Sequence, residues 1–259
     1  MKNIIILAAG KGTRMKSDLP KCACPILGKP MIKYLIESCI EADIDNIIVV
    51  IGYKGEIIKD ILSEYPNIMY AYQNEQLLGT LTAYSIGGGS VLFEQLGTGH
   101  ACMMTESLLK DKLGSTIIVP GDMPLIGKDN LINLYNHYND YHSAMTILSS
   151  IFENPFGYGR IVRCNGNVTS IKEETDATTE EKLIKEFNTG LYVVDNKKLF
   201  HALSLIDNKN KKGEYYLTDI VKIISKDNVV DAVVVPYDYH LIGINDQDTL
   251  LFVENEFKN

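Results

Sequence analysis

Three groups of residues have the types and spacing for phosphate chemistry. Leu7-Ala8-Ala9-Gly10-Lys11-Gly12-Thr13-Arg14-Met15 is a glycine-rich segment carrying two cations. Such a turn lets backbone N–H groups approach a polyphosphate with no Cβ in the way. Pro20-Lys21 follows it, so Arg14 and Lys21 can hold separate phosphates across one loop. Val119-Pro120-Gly121-Asp122-Met123-Pro124-Leu125 sets a single carboxylate between a glycine and two prolines. An aspartate so braced suits Mg2+, which takes one or two protein oxygens and leaves the rest of its shell to phosphates and water. Each group has a plainer reading: a tight turn with solvated Lys and Arg, and an Asp122 that caps a turn. Their combination favours phosphate and metal. The spacing Gly10-x-Gly12 lacks the third glycine of a dinucleotide fingerprint.

The elements that must position these groups alternate along the chain. Residues 4–8 form a continuous apolar, β-branched run that predicts a buried parallel strand ending at the glycine loop. Pro30 opens a helical pattern with Met31, Leu35, Cys39 and Ile40 on one face. Strands follow at 46–51, 68–72 and 116–119, with helices at 56–64, 101–110 and 129–139 between and after them. This alternation predicts a mostly parallel open α/β sheet with helices on both faces, whose ligands bind at the carboxyl ends of the strands. Beyond Ser143 the pattern changes to strand-like runs at 144–149, 160–162, 168–172 and 190–194, separated by turns such as Asn165-Gly166-Asn167. That half predicts a mixed or antiparallel extension of the sheet. No linker or low-complexity tract divides the two, so residues 1–245 read as one domain and 246–259 as a C-terminal helix.

Composition narrows the partners. The chain of 259 residues is 46% hydrophobic, with a formal net charge of −8. Its acidic balance argues against nucleic acid, which needs a basic footprint, but not against a phosphorylated small molecule in a local cationic pocket. No apolar stretch approaches the ~20 residues of a membrane span. Five cysteines without paired zinc spacing read as reduced thiols in the cytoplasm. One segment stands apart. Glu75-Gln76-Leu77 recurs as Glu94-Gln95-Leu96, and removing 77–95 leaves a smooth join, so 77–95 reads as a loop insertion around Gly87-Gly88-Gly89.

With these blocks go Gly28-Lys29-Pro30-Met31, Gln95-Leu96-Gly97-Thr98-Gly99-His100-Ala101, Gly157-Tyr158-Gly159-Arg160, Asn188-Thr189-Gly190 and Gly213-Glu214-Tyr215-Tyr216-Leu217-Thr218-Asp219. In this order the chain resembles the bacterial N-acetylglucosamine-1-phosphate uridylyltransferases over nearly its whole length. The resemblance implies a Rossmann-like, GT-A-like nucleotidyltransferase fold with a sugar-binding lobe, and Mg2+ as cofactor. It implies the joining of UTP to N-acetylglucosamine 1-phosphate, with release of pyrophosphate, in the supply of a cell-wall precursor. Leu7, Ala8, Ala9, Gly10 and Gly12 would receive the nucleotide. Arg14 and Lys21 would act on the triphosphate and the reacting phosphates. Gly97 and Thr98, with a glutamine beside them, would recognise uracil; Gln73, Gln76 and Gln95 all remain open for that role. Gly159, Glu173 and Asn188 would hold the sugar, and Asp122 and Asn245 the metal.

Plainer readings stand beside some of these. Glu173-Glu174 resembles a solvated acidic face, Asn188 a turn residue, and His100 a packed histidine at a helix start with no catalytic role. Cys22-Ala23-Cys24 departs from the family's usual aliphatic and histidine residues, and is read as local packing variation. No hexapeptide repeat is present, so the acetyltransferase activity of the family's bifunctional members is not expected. Homo-oligomerisation is left open. The competing functions are another nucleotidyltransferase, of the cytidylyltransferase or molybdopterin type, and a nucleotide-binding protein without catalysis.

Overall fold

The computed structural model describes residues 1–73 and 96–258. The apparent insertion 77–95, and with it Gln76 and Gln95, lies outside them. The chain builds β1 (Lys2–Leu7), the short pair β2 (Pro25–Ile26) and β3 (Lys29–Pro30), α1 (Met31–Glu41), β4 (Asn46–Ile51), α2 (Gly55–Ile61) and β5 (Ile68–Tyr72). Then come α3 (Thr98–Met103), α4 (Glu106–Leu109), β6 (Ser115–Pro120), α5 (Gly127–Tyr141) and β7 (Met145–Ile151). The remainder is β8 (Arg160–Cys164), β9 (Asn167–Lys172), β10 (Glu186–Asp195), α6 (Asn196–Leu203), α7 (Asp219–Ile224), β11 (Val230–Val235) and α8 (Gln247–Lys258).

Among the described residues the main sheet runs β11-β7-β10-β6-β1-β4-β5, with the β8–β9 hairpin joined through β10. β1 pairs in parallel with β4 and β6, and β5 in parallel with β4. β10 runs antiparallel to both β6 and β7, while β11 returns parallel to β7. The expected architecture is thus present: a mostly parallel α/β sheet with a mixed extension after residue 143.

Strand alternation explains the two layers. Ile5, Ile48, Val50 and Ile118 face one side and pack with α3, α4, α6 and α7 through Cys102, Leu109, Leu199 and Ile220. Ile4, Ile6, Val49, Ile117 and Val119 face the other and meet α1, α2 and α5 through Leu35, Ile58 and Leu131. Each fully buried aliphatic side chain of this kind contributes roughly 1.5–3 kcal/mol. A third, smaller cluster lies apart from the sheet: Met15, Cys24, Ile26, Met31, Leu125, Ile242, Ile244 and Val253. It ties the glycine loop, the segment after Asp122, the segment before Asn245 and α8 into one support.

Local expectations differ in places. The single helix expected at 101–110 is two, broken where the buried Thr105 hydroxyl bonds back to the Cys102 carbonyl at 2.7 Å. β11, α6 and α7 were not anticipated. The cysteines are all free, with Cys22, Cys24, Cys39 and Cys102 buried and Cys164 exposed. Burial pushes the Cys22 and Cys102 thiols up to about 12. Among the described residues no helix is long and apolar enough to cross a membrane.

Candidate active site

The carboxyl ends of β1 and β6 lie side by side, Leu7 opposite Pro120. The Gly121 N–H donates to the Leu7 carbonyl at 3.0 Å, and the Ala8 N–H to Val50 at 2.9 Å. The chain leaving β1 is thereby held between its two neighbours. Ala9 is buried under Gly52, where an added Cβ would come within 3.0 Å of the Ala9 side chain. Gly10 faces open space. Gly12 is left-handed (φ 65°), and a Cβ there would lie 2.6 Å from the Lys21 Cβ. The glycine thus leaves room for the lysine backbone to pass. Lys11 lies over the Tyr53 ring, 5.3 Å from its centre.

Lys21 is the hub. Its ammonium pairs with Asp122 Oδ2 and donates to Asn245 Oδ1 at 2.7 Å. Arg14 Nη2 donates to the same Asn245 oxygen at 2.9 Å. Asn245 is steadied in turn, its Nδ2 donating to the Gly243 carbonyl at 3.0 Å, and the Ile244 N–H donates to the Asp122 carbonyl at 2.8 Å. Asp246 caps α8 by accepting from the Thr249 N–H and hydroxyl, and its carboxyl is held below the ordinary range by Thr249 first, then by Arg14 and Lys21. Gln247 Nε2 reaches back to the Met15 carbonyl at 2.7 Å. Arg14, Lys21, Asp122 and Asn245, far apart in sequence, therefore form one connected group.

Magnesium can be tested against this donor set. Asp122 and Asn245 supply two hard oxygens that already converge on one cation, the Lys21 ammonium. Among the described residues no group of three or more His, Cys, Asp or Glu side chains could hold a metal. Two protein oxygens open to phosphate and water suit Mg2+ better than zinc or an enclosed calcium.

Gln73, buried just past β5, donates from Nε2 to the Gly97 carbonyl at 3.0 Å. Gly97 is left-handed (φ 98°), and a Cβ there would lie 2.6 Å from the Tyr215 carbonyl. Two backbone bonds of 2.8 Å, Tyr215 N–H to Leu96 and Gly99 N–H to Tyr215, stitch 96–99 to 213–217. The Thr98 hydroxyl accepts from the Leu217 N–H at 3.2 Å. Two of the motif blocks are thus one structural unit.

The remaining three residues cluster where β10 bulges between Asn188 and Tyr192. Asn188 is engaged at both ends, accepting from the Gly190 N–H at 3.0 Å and donating to the Tyr192 hydroxyl at 2.7 Å. Its backbone N–H donates to Gly159 at 2.9 Å. Gly190 is left-handed (φ 89°) and close against Pro120, which joins this cluster to the Asp122 segment. Glu173 and Glu174 do not form a solvated face. Glu173 is half-buried and accepts from Thr218 Oγ1 at 2.8 Å; burial raises its pKa, with the Thr218 bond opposing. Burial also works on Glu174, but the Gly157 N–H and the fully buried Arg160 outweigh it and hold that carboxyl low. A cavity of about 360 Å³ opens beside Glu173, lined also by Tyr216, Thr218, Asp219 and Lys222. None of Arg14, Lys21, Asp122 and Asn245 lines it. Tyr216 and Thr218 carry no individual role in the sequence reading, although they belong to the block 213–219.

A carboxylate and two cations meeting beside the ends of β1 and β6 suit the binding of phosphate groups. The chain belongs to the nucleotidyl transferase family, whose model matches residues 3–239. Among solved structures it is similar to a Bacillus anthracis protein described as a glucose-1-phosphate thymidylyltransferase, with a TM-score of 0.73 at 18% identity over 100% of this chain and 96% of that one. It is also similar to HddC from Yersinia pseudotuberculosis, with a TM-score of 0.68 at 21% identity over 99% and 100% of the two chains. These establish the fold. Within the family the chain is GlmU-like, as its motifs imply. It is 42% identical over 248 residues to the bifunctional protein GlmU of Acholeplasma laidlawii, covering 95% of this chain and 49% of that protein. Against GlmU of Limosilactobacillus reuteri it is 43% identical over 260 residues, covering 100% and 52%. The chain spans about half the length of these curated relatives.

Proposed function

We propose that this nucleotidyltransferase is a cytoplasmic uridylyltransferase. It forms UDP-N-acetylglucosamine, a cell-wall precursor, and pyrophosphate from UTP and N-acetylglucosamine 1-phosphate. The observation that carries the proposal is the Lys21 ammonium held between Asp122 and Asn245, with Arg14 on the same Asn245 oxygen. A phosphate oxygen of the sugar phosphate attacks the α-phosphorus of UTP. That nucleophile is already an anion, so no general base is needed. The barrier is the repulsion of two polyanions, and the chain's part is charge neutralisation and alignment.

In this reading Leu7, Ala8, Ala9, Gly10 and Gly12 receive the nucleotide through backbone groups, and Arg14 meets the triphosphate. Lys21 turns from Asp122 to the reacting phosphates. Gln73, Gly97 and Thr98 receive the base. Gly159, Glu173 and Asn188 receive the sugar, Asn188 giving up or sharing its bonds within the bulge. Asp122 and Asn245 hold Mg2+, which when bound screens the phosphate charges and polarises the phosphorus under attack. Residues 1–245 act as the catalytic unit, followed by α8 (Gln247–Lys258).

Steady-state pyrophosphate release tests the proposal. Turnover with UTP and N-acetylglucosamine 1-phosphate, abolished by chelation and restored by Mg2+, is expected. Preference for CTP or GTP would make the protein a different nucleotidyltransferase, and no release with any triphosphate would leave a binding protein.

A further inference from the structure

One buried histidine has its hydrogen bonding dictated by its neighbours. The Gln73 carboxamide nitrogen lies 3.0 Å from the Gly97 carbonyl oxygen and 3.2 Å from His100 Nδ1. A carbonyl oxygen only accepts, so the group facing Gly97 must be the amide nitrogen, and the carboxamide cannot be turned over. Its second N–H then points at His100, whose Nδ1 must be the bare, accepting nitrogen. The ring proton is thereby placed on Nε2, which is buried and among the described residues has no hydrogen-bond partner. His100 is 1% exposed and packs at a tilt against Tyr215, ring centres 6.4 Å apart. Burial keeps its pKa below the ordinary value, so the ring stays neutral. Among the described residues the Gln73 carboxamide oxygen takes no hydrogen bond. With both N–H groups engaged, that oxygen is the one polar atom Gln73 can offer.

We propose that His100 is a positioning residue for base selection: by accepting the second N–H of Gln73 it locks the carboxamide so that only an acceptor is presented to the incoming base. A base with an N–H on that edge, such as uracil at N3, is accepted. Cytosine brings a bare nitrogen with a lone pair at N3, so two acceptors face each other and repel. A site built from fixed hydrogen-bonding groups rejects a mismatched partner strongly, because the buried polar atoms are left unpaired. The inference rests on the proposal that the base is received beside Gln73 and Gly97.

The test compares UTP and CTP in the wild type, His100→Leu, His100→Asn and Gln73→Leu. In His100→Leu the ratio of kcat/KM for UTP over CTP falls about tenfold, equivalent to about 1.4 kcal/mol. The fall is carried by KM for the nucleotide, while KM for the sugar phosphate stays within about twofold. His100→Asn, whose amide oxygen can stand where Nδ1 stood, restores most of the ratio. An unchanged ratio in folded His100→Leu overturns the proposal. Should that variant not fold, long-range 1H–15N spectra of the wild type decide: a bare Nδ1 and a protonated Nε2 on His100 are expected, and the opposite tautomer overturns it. Gln73→Leu separates the two levels. Unaltered UTP kinetics there would mean the base binds elsewhere and the underlying function proposal has failed. Loss of UTP preference in Gln73→Leu but not in His100→Leu would remove the histidine lock alone.

Discussion

Asp122→Asn is the sharpest perturbation of the site, because it removes one charge and keeps the shape. The side chains of Lys21 and Asp122 are 13% and 19% exposed, so the pair lies between bulk water and a dry interior. At an effective dielectric constant of about 20, two unit charges 4 Å apart attract by about 4 kcal/mol. The asparagine oxygen recovers about 1 kcal/mol as a neutral acceptor. About 3 kcal/mol of hold on a cation at the reacting phosphates is lost, which is a rate loss of about a hundredfold. Folding is affected far less. Desolvation of both groups already offsets their attraction, and Lys21 keeps its 2.7 Å bond to Asn245. A cost near 1 kcal/mol corresponds to about 2–4 °C in a chain of this size. The assay is pyrophosphate release across a series of Mg2+ concentrations, with a melt followed by circular dichroism. Turnover within twofold of wild type at the same half-saturating Mg2+ would refute the metal role. A melting point lowered by more than about 10 °C, with normal turnover of the folded fraction, would make Asp122 structural.

The remaining expectations concern its neighbours. Lys21→Ala lowers turnover about a hundredfold and Arg14→Ala about tenfold, each with a melting shift under about 4 °C; a large melting loss with normal turnover of what stays folded would assign either residue to the scaffold. Gly12→Ala places a Cβ 2.6 Å from the Lys21 Cβ on a backbone at φ 65°. It costs more than about 1 kcal/mol by denaturant midpoint and raises the nucleotide KM, and wild-type stability would show that the loop relaxes freely. Glu173 has a folded-state pKa raised by burial, so the folded protein binds that proton more tightly than the unfolded chain, and stability from this group falls as pH rises through the raised pKa. Glu173→Gln therefore raises the melting point at neutral pH, the gain shrinking as pH falls through the raised pKa and gone below the ordinary value of 4.5, while the sugar-phosphate KM rises; a gain independent of pH would contradict the assignment.

Much of this fold was legible because β1, β4 and β6 are buried on both faces and read as unbroken apolar runs. β11 was not, although it is rich in valine, because it lies at the end of the sheet half-covered and shows no clean alternation. Its parallel pairing with β7 is a long-range choice that spacing does not encode. The motif residues could be named one by one, and the family resemblance supplied their order. Their convergence could not be derived. It depends on Leu7 standing opposite Pro120 and on the Ile244 N–H reaching the Asp122 carbonyl. The opposite environments of Glu173 and Glu174 were hidden for the same reason: Arg160 and Thr218 come from other elements.

β10 joins the segment ending at Pro120 to the bulge at Asn188 through ladder bonds on both of its edges. Losing or gaining one residue in that strand would slide half of the site by about 3.3 Å and turn its side chains to the opposite face. Changes of chain length are therefore lethal to the site within β10 and harmless only between elements. New substrate preferences on this scaffold would then arise by exchanging side chains and lengthening loops, with the sheet carried forward unedited.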